Sequence, residues 1–377
     1  MDRSMTRRRS SLFGLSLLQT MVFCFTLYMP NLYCADDSVQ KAEPADATQG
    51  IIRAFDTHAV VMFGEVHANR QEYEFLRSLV ASPQFADEVD DIVVEYGNSL
   101  YQNSVDRYNA GEDVPFEEVQ KAWRNTMALG PVSPVYASLY ETVRQVNQRR
   151  RGKHQMRILL GDPYINWDHV KSREDVGPYL AHRDEFYASV VNKEVLAKHH
   201  RAFLIAGWPH FARPPLGPGY IEKELRSAGA STFVLVFGTN AVGGYDDLDK
   251  RFEAWKIQAL VPLKGTWVSD LPALPVLSGG TMPVGPNPAK LQDAADAMLY
   301  LGPRDTLTVV PIARADYEGT PYEREMNRRL EILFGKPTSM FAVAAETQQF
   351  PRSSGGPPPS LPPPPKSIND PLPPRPD

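Results

Sequence analysis

Cysteine is nearly missing from this chain of 377 residues, which has two, Cys24 and Cys34, both within the first 35 positions. A chain trimmed after Ala35 would carry none. Disulfides, thiolate catalysis and cysteine metal sites are thereby excluded from the part that would remain. Excess positive charge is missing too. The formal net charge is -5, so there is no electrostatic case for nucleic acid or an anionic membrane surface. The basic run Arg149, Arg150, Arg151 and Lys153 has no interleaved aromatics and reads as a solvated helix end. Internal repeats are absent, and no stable membrane span is expected once the leader is removed.

The two ends differ in kind from the middle. Arg3, Arg7, Arg8 and Arg9 precede a mostly apolar stretch from Leu12 to Tyr33, after which the chain turns acidic and polar. Residues 1–35 therefore read as a signal peptide, predicting a periplasmic or extracellular protein. Thr6-Arg7-Arg8 resembles the start of a twin-arginine signal, although Ser10 and Ser11 stand where apolar residues are preferred. Tyr33 is bulky for a cleavage site, and the stretch is long enough to stay as an uncleaved anchor. At the other end, twelve of the 27 residues from Pro351 to Asp377 are proline. That composition cannot offset its ordering entropy by burial, so 346–377 is expected to be a disordered or polyproline II tail.

Between them, residues 36–345 have ordinary globular composition, 42% hydrophobic and 23% charged over the whole chain. Short apolar runs alternate with amphipathic ones. Strands are predicted at His58–Gly64, Asp91–Glu95, Met156–Gly161, Ala202–Gly207, Thr232–Gly238 and Ala297–Leu301. Helical spacing marks Arg70–Val80, Pro134–Arg149, Glu174–Ala197, Ile221–Ala228 and Pro321–Phe334. Continuous apolar strands separated by helices predict an α/β domain with a mainly parallel sheet covered on both faces. The helical stretch at about 98–150 exceeds one crossover and is expected to form a small insert lobe over an edge.

In such sheets ligands bind outside the carboxyl ends of the strands. The residues found there are Gly64-Glu65-Val66-His67, Glu95 with Gly97 and Asn98, Gly161-Asp162, Gly207-Trp208-Pro209-His210 and Gly238-Thr239-Asn240. Glu65, His67, Glu95 and His210 are the candidate catalytic residues. A carboxylate can hold an imidazole in the tautomer needed to activate water. The same four are also the ligand types of a zinc or manganese site. Each has a structural alternative: Glu65 suits a helix N-terminus, and either histidine could be a packed, hydrogen-bonded one. Asp162 reads as an orienting or turn residue, and Asn240 as a substrate contact. His58, His154, His199 and His200 fall at the opposite ends of their strands.

VVMFGEVHANRQEYEFL (60–76), DIVVEYGNS (91–99), RDEFYASVV (183–191) and AFLIAGWPHF (202–211) resemble, in order, elements of the erythromycin esterase-like and ChaN-like proteins. These belong to the superfamily that includes haem-binding ChaN and the Tiki and TraB proteins. The resemblance spans about Ala59 to Phe211, with an echo at 296–301. It implies a mixed α/β fold with the site at strand ends, where Glu65 and His67 match the first motif, Glu95 the acidic strand end and His210 the late histidine. Arg183-Asp184 looks like the Arg-Asp pair that opens a helix, with Arg183 binding a substrate anion or orienting a carboxylate. Trp208-Pro209 before His210 and the 98–149 stretch depart from the pattern.

Three functions follow as expectations. One is an exported hydrolase of an ester or amide bond in a small-molecule or peptide substrate, assisted by a divalent metal. Another is a haem or iron binder, with Tyr96, Tyr164 and Trp208 lining an apolar slot. The last is a non-catalytic envelope protein.

Overall fold

A computed structural model describes residues 44–127, 133–238, 246–255, 258–278, 287–303, 306–347 and 365–376. Its strands are β1 (Ala45–Asp46), β2 (Val60–Glu65), β3 (Asp91–Asn98), β4 (Arg157–Asp162), β5 (Ala202–Gly207), β6 (Thr232–Phe237), β7 (Ala259–Pro262) and β8 (Ala297–Tyr300). They form one 8-stranded sheet in the order β1-β7-β8-β6-β2-β5-β3-β4. β2, β3, β4, β5, β6 and β8 pair in parallel, and β7 pairs antiparallel with both β8 and β1. The six predicted strands are all present, each within a few residues of its expected bounds. The two additions, β1 and β7, are short and lie together at one edge.

Continuous apolar runs make strands here because the sheet is buried on both faces. Side chains alternate across a strand. Val61 and Phe63 of β2 accordingly join one core cluster with Ile92, Val94, Phe203, Ile205, Leu235 and Phe237. Val60 and Met62 join a second with Val93, Leu204, Ala206, Val234 and Val236.

The helices that close these faces begin with α1 (Ala47–Ala54), α2 (Arg70–Ala81), α3 (Pro83–Glu88), α4 (Gln102–Asn109), α5 (Phe116–Arg124) and α6 (Ala137–Arg149). They continue with α7 (Gly177–Ala181), α8 (Arg183–Glu194), α9 (Trp208–Phe211) and α10 (Tyr220–Ser227). Val105, Trp123 and Val143 from α4, α5 and α6 sit in the same cluster as Phe63 and Ile158. The 98–150 stretch is thus continuous with the core on one face of the sheet. Tyr187 and Val191 of α8 and Ile221 and Leu225 of α10 cover the other. Among the described residues no helix is long and apolar enough to cross a membrane.

Residues 365–376 lie against the domain, with a 3-10 turn at Lys366–Asn369 packed on α7, and residues 348–364 of the expected tail lie outside the described residues.

Candidate functional site

Strand order builds the site. β5 lies between β2 and β3, so Glu65 at the end of β2 and Glu95 on β3 flank the end of β5, where Gly207 pairs with Glu65. A glycine is needed there. A Cβ on Gly207 would come within 2.8 Å of His67 Cε1, 3.0 Å of its Nε2 and 3.4 Å of Glu95 Oε2. The missing side chain is the space through which His67 leans over the strand toward Glu95.

The turn after β2 is fixed locally. Ala68 adopts a positive φ of 62°, and the Asn69 side chain caps α2 by accepting from Glu72 N at 3.0 Å. Both Glu72 oxygens accept from Val66 N at 3.1 Å. Burial and then the nearby Glu65 raise the Glu72 carboxyl well above its ordinary range.

Glu65 is 1% exposed, and its Oε1 lies 3.0 Å from His67 Nδ1. Its Oε2 is buried, and the Tyr73 hydroxyl hydrogen-bonds to Glu65. Half of the His67 side chain, 47%, is still accessible, and its ring meets the Tyr96 ring edge-on at 5.2 Å. One ligand atom each from Glu65, His67 and Glu95 can be chosen so that all lie within 4.8 Å of one another.

Glu95 is held from several sides. It accepts from Gly207 N at 2.6 Å, lies 3.0 Å from the Arg183 guanidinium and 3.4 Å from His210 Nε2. Burial alone would push its carboxyl up, but Arg183, His210 and His67 together hold it well below the ordinary range. The histidines respond in the opposite sense. Burial disfavours the charged form of His210, yet Glu95 and a bond to Asp184 push it up to about 10. For His67, Glu95 and Glu65 likewise overcome burial and raise it. His210 Nδ1 is 2.6 Å from Asp184 Oδ1, which fixes the ring while Nε2 faces Glu95.

All four residues expected to share a centre, Glu65, His67, Glu95 and His210, therefore meet at one strand edge. Arg183 and Asp162, expected to orient a carboxylate or to contact substrate, face each other beside Glu95. Arg183 Nε donates to Asp162 Oδ1 at 2.5 Å, and Asp162 Oδ2 also accepts from Met127 N. The Asp162 side chain is fully buried and that of Arg183 is 17% exposed, and Arg183 also lies 3.0 Å from Glu95. Asn240 lies outside the described residues.

Tyr96, Tyr164 and Trp208, expected to share one slot, pack against three different clusters. Tyr96 is stacked on Tyr136 at 3.7 Å, and Tyr164 meets Tyr179 and Phe186. Sequence reasoning missed Glu72, Tyr73 and Tyr136, which line or abut the buried side of Glu65. It also missed the bond from Asp184 to His210, although Asp184 adjoins the Arg183 that it did single out.

No family model matches the chain, and no curated protein matches it. Solved structures similar to it include ChaN of Campylobacter jejuni, described as binding haem cofacially. That match has 13% identity, covers 52% of this chain and 87% of that one, and has a TM-score of 0.34. The type III effector HopBA1 has 11% identity, 55% and 90% coverage and a TM-score of 0.36. A Bacillus cereus protein has 11% identity, 69% and 94% coverage and a TM-score of 0.43.

Proposed function

We propose that this strand edge is a hydrolytic centre for an ester or amide bond in an exported protein, with Glu65, His67 and Glu95 holding a divalent cation, zinc or manganese. The observation that carries this reading is the convergence of one ligand atom each from Glu65, His67 and Glu95 within 4.8 Å of one another, two of them from buried carboxylates. Burying carboxylates together is costly unless opposite charge accompanies them, and a cation would supply it. Two carboxylates and an imidazole suit zinc or manganese, and thiolate-selective metals have no partner here. Such an ion supplies Lewis acidity toward a carbonyl oxygen and a water.

The chain's own groups divide the remaining tasks. His67 Nδ1 is engaged by Glu65, which leaves Nε2 on the side of Gly207 and Glu95. His210, fixed through Nδ1 by Asp184, holds a proton at Nε2 that a leaving group can take. Arg183 keeps Glu95 ionised and oriented, and Asp162 keeps Arg183 in place. The half-exposed His67 gives a small molecule or an extended peptide access to the centre.

The test is turnover of a panel of chromogenic esters and amides by the purified protein supplied with zinc or manganese. Turnover that falls about a hundredfold or more in Glu65→Gln, at unchanged melting temperature, supports the reading. An inert protein that develops a Soret band with haemin, lost in His67→Ala, would replace it with haem binding.

A further inference from the structure

Residues 365–376 are bonded to residues that follow β3 and β4 and to residues around α7. Ser367 Oγ donates to the Glu174 carbonyl, three residues before α7, and His182 Nε2 lies 3.0 Å from the Asp370 carbonyl oxygen. Tyr164 OH, two residues beyond Asp162, donates to the Pro373 carbonyl at 2.7 Å. Arg375 donates to the Ser99 carbonyl, four residues beyond Glu95, at 2.9 Å, and its guanidinium sits 5.8 Å from the Tyr164 ring centroid. Leu372 packs onto the cluster of Ile165, Trp167 and Tyr179. Backbone carbonyls bonded by side-chain donors, one apolar anchor and an aromatic floor are how grooves receive extended proline-rich segments.

The first turn of α8 connects this groove to the site. His182 holds the tail, Arg183 holds Glu95 and Asp162, and Asp184 holds His210. These three residues are consecutive. The seat is also shaped for this occupant: a Cβ on Gly177 would overlap Ser367 Oγ and come within 3.0 Å of the Ser367 carbonyl carbon.

We propose that residues 365–376 are a releasable latch, seated in cis in a groove for proline-rich segments, and that its release loosens the α8 turn that holds Arg183 and Asp184. The seating stands apart from the chemistry proposed above, and only its consequence for turnover rests on that reading.

Gly177→Ala tests this without removing a polar group, because alanine ordinarily favours a helix over glycine and here it collides with the latch. Leu372→Asp, at a half-buried tail position, is an independent second variant. The readout is amide hydrogen exchange on the full chain, followed in peptides covering 366–372 and 182–190, with α6 as a remote control. The Asp370 amide donates to the Ser367 carbonyl and the Phe186 amide to the His182 carbonyl, so both segments begin protected. Expected in both variants is exchange about tenfold or more faster in 366–372 and measurably faster in 182–190, with α6 unchanged. Unprotected exchange of 366–372 in the parent chain, or a freed latch with 182–190 unchanged, overturns the proposal. Neither result bears on hydrolysis, so failure here is distinguishable from failure of the site.

Discussion

Asp184 and His210 form a 2.6 Å contact between the first turn of α8 and the short helix α9 after β5, and it leaves His210 Nε2 directed at Glu95. A carboxylate behind an imidazole sets its orientation and favours its charged form. Asp184 is therefore a positioning residue. Asp184→Asn is expected to lower turnover about tenfold to a hundredfold, the range found when such supporting partners are lost. It should also move the pH profile, because His210 loses part of what raises its proton affinity. Equal turnover and an unmoved profile would remove His210 from the reaction.

Gly207→Ala adds one methyl group at a position 2.8 Å from His67 Cε1. All three cation ligands stay in the chain, but His67 must move off the strand end. The expected outcome is cation binding about tenfold or more weaker at little cost in melting temperature, measured by calorimetric titration. Unchanged affinity would mean that His67 is not a ligand.

Stability should follow the protonation of His210 in chelator-treated protein. Its folded value of about 10 lies above its unfolded value of about 6.5. The stabilisation is thus complete below pH ~6.5 and fades as the pH rises through 10. Against His210→Gln, the parent should show its largest melting-temperature advantage near pH 6, from a charge-assisted bond worth about 1.5–3 kcal/mol, and little advantage by pH ~11. In acid the advantage should fall again once Glu95, whose proton affinity is lowered in the fold, becomes neutral. A gap constant from pH 6 to 11 would show that His210 carries no such charge.

Much of this fold is legible because β2, β3, β4, β5, β6 and β8 are apolar nearly throughout, which only a sheet covered on both faces requires. β1 and β7, of 2 and 4 residues, give no periodicity to read, and Pro262 argues against a strand. The rule that ligands gather at strand ends located Glu65, His67, Glu95 and His210. It could not say that β5 lies between β2 and β3, which is what makes Gly207 a window rather than a turn glycine. That Arg183 and Asp162 pair with each other was not legible either: they lie 21 positions apart, and no local pattern announces an ion pair. Composition averages over residues, so it does not register specific contacts such as those of Leu372 with the Ile165 cluster and of Arg375 with Tyr164.

Zinc or manganese titration of the metal-free full chain, followed by calorimetry, shows whether Glu65, His67 and Glu95 hold a cation, with Glu65→Gln alongside. Expected are one ion per chain, proton release on binding, and an affinity reduced about tenfold or more in the variant whose melting temperature is otherwise kept. Absence of binding in the parent, or equal binding in Glu65→Gln, would contradict it.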